Sequence, residues 1–365
     1  MLTVTAVDPG GVRRGRLVPV GSPSAVWRDT DAGAFMIPVA LDDLSSLISD
    51  GWEIVIADGG LTMRGIIESR EVSVQDGGLV LTLSGKEGLV LLADRVTYPN
   101  PGVAVTAQTA EGYYTRKGTA GVLIRDLIDA NAGPAARPER RAARIVCPAP
   151  IAQGGNTSVN TRYKPLLEVV RGVARAGGVR VWLEPSGADW AVRIARPRDR
   201  SREVRFQVDV DGSVAVQAPT VTNVVVAGQG QGAARTIREY TQASTWGRRI
   251  EVFQDRRDTD DVAEHDQAGA QTLAEGAAAG TASFPVTESD GARFGVDYNL
   301  GDMVSVRMGP VVISEPVRAV QVDWDGYGRT VKLTLGDHDQ ADDNAPAWVA
   351  RTRDIEARLR RIEAV

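Results

Sequence analysis

Residues 298–337 read YNLGDMVSVRMGPVVISEPVRAVQVDWDGYGRTVKLTLGD, and this stretch decides the fold class of the chain. Apolar residues, most of them valine, alternate with polar residues through most of it, which is the period of a half-buried β-strand. Gly309-Pro310 and Asp325-Gly326 interrupt the alternation as turn signals. The pattern predicts an antiparallel meander at the edge of a β-barrel or β-sandwich.

The meander opens on Leu300, Gly301 and Asp302, which we interpret as a structural turn. Glycine relieves the steric cost of a positive φ, and aspartate can accept hydrogen bonds from its own backbone. We expect these three residues to set the start of the strand and to carry no chemistry.

The composition is that of an ordinary soluble globular protein. Of 365 residues, 43% are apolar and 24% charged, and the formal net charge is −5. This charge gives no broad attraction to nucleic acid or to an anionic membrane. No run reaches the roughly 18 apolar residues of a membrane span, and the N-terminus lacks the apolar core of a secretory signal. We therefore expect synthesis in a cytoplasm and no stable nucleic-acid or membrane binding.

Turn signals and changes of hydrophobic period divide the chain into four segments. Residues 1–95 are predicted as a strand-dense β-domain with one short helix over residues 41–48, residues 96–218 as a small α/β domain, and residues 219–340 as a second β-domain. Residues 341–365 are predicted as a linker and a C-terminal helix. The overall fold class is mainly β, with two barrel-like domains and an α+β insert between them.

The α/β segment combines two helices with a strand pair. Thr119 is predicted to cap the first helix, and Gly177-Gly178 to end the second. Strands over residues 179–183 and 190–194 follow. The basic loop 134–144 contains no aromatic residue, so we expect it to be a solvated loop.

A glycine cluster at residues 228–232 follows the strand 221–227 and invites comparison with dinucleotide-binding loops. A dinucleotide fingerprint needs a helix after the glycines, whereas residues 235–240 have no helical apolar face. The cluster is better interpreted as the turn of a β-hairpin.

A helix is predicted over residues 258–280, with Asp258 or Thr259 as its cap. Glu264, His265 and Asp266 on this helix are adjacent in sequence. Since adjacent helical residues point in different directions, we interpret them as surface charges and not as metal ligands.

The C-terminal segment carries a heptad pattern. Its seam residues fall at spacings of four, three, four and three along the helix: Trp348, Thr352, Ile355, Leu359 and Ile362. Isoleucine at two seam positions favours three or more strands. We expect this helix either to pack on its own domain or to join copies of the chain, with Trp348, Ile355, Leu359 and Ile362 as the oligomerisation residues.

The residues that most often carry catalysis or bind metals are scarce. Cys147 is the only cysteine and is expected in a partly buried strand, and His265 and His338 are the only histidines. We predict no catalytic residue, no metal site and no cofactor. Paired carboxylates for glycoside hydrolysis stay open, because sequence does not report their separation.

The order of these segments resembles the tail hub proteins of long-tailed bacteriophages, which are similar in fold to the baseplate hubs of contractile tails. The resemblance lies in the Asn-Leu-Gly-Asp turn at residues 299–302, the Leu-Thr-Leu-Gly end of the meander, the Gly-Lys-Glu turn at residues 85–87, and the strand and glycines at residues 223–230. It implies a structural homotrimer at the virion tail tip that closes the tail tube. The implied partners are the tape-measure protein, the distal tail protein and a tail fibre or spike.

Two other functions remain open at the level of sequence. A carbohydrate- or receptor-binding tip protein would use exposed tryptophans, with Trp27, Trp182, Trp190, Trp246 and Trp324 as candidates, although core positions are expected for them. A peptidoglycan hydrolase is the third alternative.

Overall fold

The computed structural model shows a mainly β chain, as predicted. It describes residues 1–75, 77–149, 152–209, 211–257, 259–326 and 328–336. The described residues divide into two compact units, a larger one that contains residues 1–212 and 283–336, and a smaller one of residues 213–282. The four predicted segments stay a prediction, and the last of them lies outside the described residues.

The described residues form strands β1 to β21 and α-helices α1 to α4. The first half of the chain contains β1 Thr3–Val7, β2 Arg13–Leu17, β3 Ser24–Arg28, β4 Ala34–Ala40, β5 Glu53–Asp58, β6 Leu61–Gln75, β7 Gly78–Glu87, α1 Val90–Ala93, β8 Tyr114–Thr119, α2 Ala120–Asn131, β9 Ile145–Val146, β10 Asn156–Thr161 and α3 Leu166–Gly177. The second half contains β11 Arg180–Ser186, β12 Asp189–Ala195, β13 Arg205–Gln207, β14 Ser213–Gln217, β15 Asn223–Ala227, β16 Ile237–Thr241, β17 Glu251–Asp255, α4 Val262–Glu275, β18 Ala279–Val286, β19 Met303–Met308, β20 Val311–Asp325 and β21 Gly328–Gly336.

The main sheet of the larger unit is long and open. Its strands run in the order β21-β20-β3-β4-β7-β6-β5-β1-β2, and β19 pairs with β20 beside this path. The predicted barrels are therefore wrong for the described residues, in which no sheet is closed. Beyond β2, which pairs with β1, only the isolated bridge between Pro19 and Val39 reaches β4, so no ladder of described strands closes the sheet.

The predicted meander is confirmed as β19, β20 and β21. β20 is one continuous strand whose first part pairs with β19 and whose second part pairs with β21. Alternate residues such as Val320, Val322 and Leu333 are buried, which is the periodicity that the sequence showed.

The strand β3 was not predicted, and it joins the N-terminal strands to the meander. It pairs antiparallel with β20, from Ala319 opposite Arg28 to Asp323 opposite Ser24. All five of its residues are buried, so its sequence lacks the alternation on which the prediction of strands depends.

The α/β part has the predicted hairpin and the predicted helix end. β11 and β12 pair from Arg180 opposite Ala195 to Ser186 opposite Asp189, and Gly178 ends α3 with a φ of +62°. Thr119 precedes α2, but its side chain makes no capping hydrogen bond.

The short helix predicted over residues 41–48 is wrong: only Ser45–Leu47 form a single 3₁₀ turn. The side chain of Asp42 accepts a hydrogen bond from the Ser45 amide at 2.7 Å, and the Ser45 hydroxyl accepts one from the Asp42 amide at 2.8 Å. These local bonds compete with the regular helical pattern.

The smaller unit contains a three-stranded sheet that packs against α4. β15 lies between the antiparallel β16 and the parallel β17, and Val224, Val226 and Leu273 form part of the core. The glycines at 228–232 connect β15 to β16, which confirms the hairpin interpretation. Asp261, and not the predicted Thr259, caps α4, since its carboxylate accepts a hydrogen bond from the Ala263 amide at 2.9 Å; Asp258 lies outside the described residues.

His265 is a core residue and not the predicted surface charge. Its side chain is buried, and its Nε2 lies 3.1 Å from the carbonyl oxygen of Thr259. A Cβ at Gly228 would lie only 2.6 Å from the imidazole ring, so the glycine lets the ring approach the end of β15. Asp266, one residue further on, is exposed and accepts a hydrogen bond from the Tyr240 hydroxyl at 2.7 Å.

Candidate functional site

Three distant parts of the larger unit meet at the buried carboxylate of Asp29, just after β3. Its Oδ2 accepts a hydrogen bond from Arg318 of β20 at 2.7 Å, and its own amide donates to the Arg318 carbonyl at 2.8 Å. Arg180, at the start of β11, places its Nε 4.0 Å from Oδ1. We call this contact of β3, β20 and β11 the Asp29 junction.

The predicted structural turn lies directly against this junction. Gly301 has a φ of +79°, and a Cβ at this position would lie 3.3 Å from Oδ1 of Asp29 and 3.3 Å from Cγ of Pro197. Its amide donates to the Val317 carbonyl at 2.7 Å, and the Val317 amide donates to the Asp302 carbonyl at 3.0 Å. The position therefore requires both a left-handed backbone and the absence of a side chain.

Asp302 holds the turn together through its buried carboxylate. It accepts hydrogen bonds from the amide of Asn299 at 3.0 Å, from the amide of Arg198 at 2.8 Å and from the Arg198 guanidinium at 3.0 Å. Leu300 is buried beside it. The geometry supplies a physical basis for a structural role, and the role itself stays a prediction.

A second cluster joins the N-terminal sheet to the β11–β12 hairpin, and we call it the Glu53 clamp. The buried carboxylate of Glu53 contacts two guanidinium groups: Arg64 lies 2.6 Å away, and Arg144 also forms an ion pair. Arg64 donates to the carbonyls of Gly187, Ala188 and Asp189 at 2.9–3.3 Å. These bonds fix the turn of the hairpin on β5 and β6.

The clamp corrects the prediction of a solvated loop at residues 134–144. Arg144 bonds to Glu53 and to the Ala188 carbonyl, the latter at 2.8 Å. Arg140 is buried, lies 3.5 Å from the ring centroid of Tyr98 and donates to Asn131 at 3.2 Å. Arginine carries a planar group with five donors, so it can satisfy buried carbonyls where the sequence suggests only solvent exposure.

Sequence reasoning missed Asp29, Glu53 and Arg64. A usable signal was present for two of them, because Glu53 lies within the apolar run of β5 and Arg64 within the apolar start of β6. A charged residue inside a buried strand requires a partner of opposite charge. For Asp29, which follows a strand that was not predicted, the sequence offered no such signal.

The outer part of the β6–β7 hairpin, residues 68–75 and 77–81, carries several exposed apolar side chains, and we call it the hairpin arm. Val74 is paired with Leu79, and Val72 with the core residue Leu81. These residues form an apolar row on one face of the hairpin that extends from the core to the tip of the arm. Val72, Val74 and Leu79 are 57%, 73% and 53% exposed. Exposed apolar rows of this kind mark protein contact surfaces more often than isolated exposed residues do.

The remaining predicted residues are dispersed. Trp27, Trp190 and Trp324 are buried, Trp182 is partly buried, and Trp246 is 49% exposed. Cys147 is partly buried as predicted, and burial raises the pKa of its thiol to about 12. Trp348, Ile355, Leu359, Ile362 and His338 lie outside the described residues.

Two kinds of feature are absent from the described part of the chain. No helix there is long and apolar enough to cross a bilayer. Within the same residues, no three His, Cys, Asp or Glu side chains are grouped as a possible metal site.

Comparison with known proteins identifies the family. The family model described as Siphovirus ReqiPepy6 Gp37-like protein matches residues 4–337. The chain belongs to this family. Among curated proteins, none matches the sequence.

Three crystal structures share the fold over nearly their whole length. The 43 kDa tail protein of prophage MuSo2 from Shewanella oneidensis has a TM-score of 0.58 and 13% identity, with 92% of this chain and 99% of that chain covered. The tail protein from Neisseria meningitidis MC58 has a TM-score of 0.56 and 16% identity, with 92% of this chain and 96% of that chain covered. Prophage tail protein gp18 from Listeria monocytogenes EGD-e has a TM-score of 0.55 and 14% identity, with 91% of this chain and 94% of that chain covered. The predicted resemblance is confirmed, and the chain is a phage tail-type structural protein.

Gly301→Val is expected to lower the melting temperature, because valine must adopt a left-handed backbone and approach Asp29 and Pro197. The matched control is Gly309→Val. Gly309 also has a positive φ, of +54°, but a Cβ there meets no atom within 4 Å. Backbone strain of about 1–3 kcal/mol applies to both variants, so the additional loss at position 301 measures the close approach. An equal loss in both would contradict this account of the turn.

Glu53→Gln is expected to destabilise the protein by roughly 3–5 kcal/mol, because it leaves two largely buried guanidinium groups without their shared carboxylate. The control is Glu184→Gln, which breaks a half-exposed ion pair to Arg193 of the same 2.6 Å length. That change should cost less than about 1 kcal/mol. The two variants are compared by their denaturant midpoints. Equal midpoints would contradict the claim that the Glu53 clamp contributes more to stability than an exposed ion pair.

Proposed function

We propose that this chain is the hub of a phage tail tip, a homotrimer that closes the distal end of the tail tube. The observation that carries the proposal is the pairing of β3 with β20, within a chain that shares the fold of three tail proteins. This pairing places the N-terminal strands and the C-terminal meander in one sheet.

The architecture is suited to a change of symmetry. If the N-terminal strands and the C-terminal meander of each chain both contact the tube, a trimer would offer six such contacts to a sixfold tail tube while keeping threefold symmetry below. Most soluble oligomers have closed point-group symmetry, and a ring of identical contacts between neighbouring copies generates such a trimer.

The hairpin arm is the surface that we assign to contacts between copies. Residues 71–75 of β6 pair with β7, and no other described strand pairs with them. A free strand edge beside an apolar row provides both backbone hydrogen bonds and apolar area to a neighbour. The C-terminal heptad seam is the second proposed contact.

The proposed partners follow from this position. The tape-measure protein would meet the hub from inside the tube, the distal tail protein would surround it, and a fibre or spike would attach below. The proposed role is assembly and gating of a channel without bond chemistry. Trp27, Trp190 and Trp324 are buried, so these three tryptophans give no support to an exposed sugar-binding groove.

The double variant Val74→Glu/Leu79→Glu is expected to convert a trimer into a monomer, because charges would be buried at the contact between copies. The control is Val296→Glu/Val312→Glu, at two valines that are each 53% exposed and lie outside the arm. Light scattering gives the mass, and the melting temperature verifies folding. A folded arm variant that keeps the trimeric mass would refute the arm as the contact.

Removal of residues 346–365 is expected to weaken the trimer, because the heptad seam would be lost. A finer pair of variants separates the seam from the segment as a whole. Ile355→Asp/Leu359→Asp alters the seam, whereas Arg353→Ser/Arg360→Ser alters the opposite face. Dissociation on dilution should increase only for the truncation and the seam variant. An unchanged oligomeric mass after truncation would reject the heptad hypothesis and leave the arm as the proposed contact.

A further inference from the structure

A cavity of about 680 Å³ lies within the larger unit, next to the Asp29 junction. Its walls include Trp27, Leu61, Met63 and Trp182, and Arg180 also lines it. Cavities of several hundred cubic ångströms are the usual form of small-ligand sites, and this one combines apolar walls with several charged side chains.

Arg180 is the unusual member of this lining. Its side chain is only 16% exposed, and its guanidinium lies 4.6 Å from the ring centroid of Trp182. Its Nε is buried and has no hydrogen-bond acceptor among the described residues. The contact with Asp29, at 4.0 Å, is longer than a hydrogen bond, and Asp29 already accepts one from Arg318.

The guanidinium of Arg180 is not fully satisfied by the groups around it. Arg64 and Arg198, which also line the cavity, are bonded to Glu53 and Asp302, and Arg196 donates to the Gly154 carbonyl at 3.1 Å. Burial raises the pKa of the Glu87 carboxyl to about 8. The carboxylate of Asp29 forms an ion pair with Arg180 but lies beyond hydrogen-bond distance of its Nε, so a buried donor lacks an acceptor, which is costly unless a ligand supplies one.

We propose that this cavity binds a compact ligand with one carboxylate, which bonds to the Arg180 guanidinium while an apolar part packs against Trp27 and Trp182. A monoanion fits better than a dianion because Arg64 and Arg198 already have carboxylate partners. Arginine matches a carboxylate through two parallel hydrogen bonds. The carboxylate comes either from a free small molecule or from an acidic side chain of another tail protein.

The test is calorimetric titration of the full-length protein with two probes. Benzoate represents a free carboxylate, and N-acetyl-glutamate N-methylamide represents an acidic side chain. Benzamide is the neutral control with the same ring. We expect saturable binding of at least one carboxylate, at least about tenfold tighter than benzamide. The probe that binds more tightly identifies the source.

Two variants locate the binding. Arg180→Gln should weaken carboxylate binding at least about tenfold. Arg193→Gln, at a half-exposed arginine of the neighbouring strand, should leave it unchanged. No saturable binding of either carboxylate in the millimolar range, equal binding of benzamide, or equal binding by the Arg180→Gln variant would overturn the proposal.

A measurement on the wild-type chain does not depend on whether the variants fold. A dicarbonyl reagent modifies arginines, and peptide mass spectrometry follows each site. The carboxylate probe should protect Arg180 and leave the rate at Arg193 unchanged. Equal modification rates at Arg180 with and without the probe would contradict the proposal that Arg180 binds the carboxylate.

Discussion

The pairing of β3 with β20 is the constraint on which the rest of the larger unit depends. It joins residues almost three hundred positions apart, so a large loss of chain entropy must be offset by the contacts that it creates. Side chains reinforce it at both ends: Ser24 donates to Asp323 at 2.6 Å and Arg318 to Asp29 at 2.7 Å. The Trp324 indole also donates to Asp58, the last residue of β5, at 2.8 Å, which ties β20 to a further N-terminal strand. The buried carboxylates at this contact make the register specific, because a shift would leave them without donors.

The Asp29 junction and the Glu53 clamp are built from the same kinds of interaction. In each, a buried carboxylate contacts arginines from distant parts of the chain, and the arginines also satisfy or position backbone groups. Such ion pairs add less net stability than apolar packing of the same volume, but removing one partner is costly. They therefore define how the α/β part and the meander dock on the N-terminal sheet more than they increase its overall stability.

The sequence predicted the parts of this fold that depend on local pattern. The meander alternates over many residues, and Gly178 ends α3 because the left-handed conformation there favours glycine. The parts that it did not predict depend on tertiary contacts. β3 is buried on both faces and has no alternation, and His265 is buried because Gly228, far away in sequence, leaves room for its ring. The candidate site shows the same division, since Gly301 and Asp302 were singled out, whereas their neighbours Asp29 and Arg180 become visible only when distant strands come together.

The proposal of a tail hub assigns a position in the phage tail to a chain whose family and fold are known. The most direct measurement is an electron cryo-microscopy reconstruction of tail tips from particles that carry this chain. The account predicts three copies at the distal end of the tube, in contact with the last sixfold ring, and none along the tube. Density for the chain that repeats along the tube, or a single copy attached at the side of the tip, would contradict it.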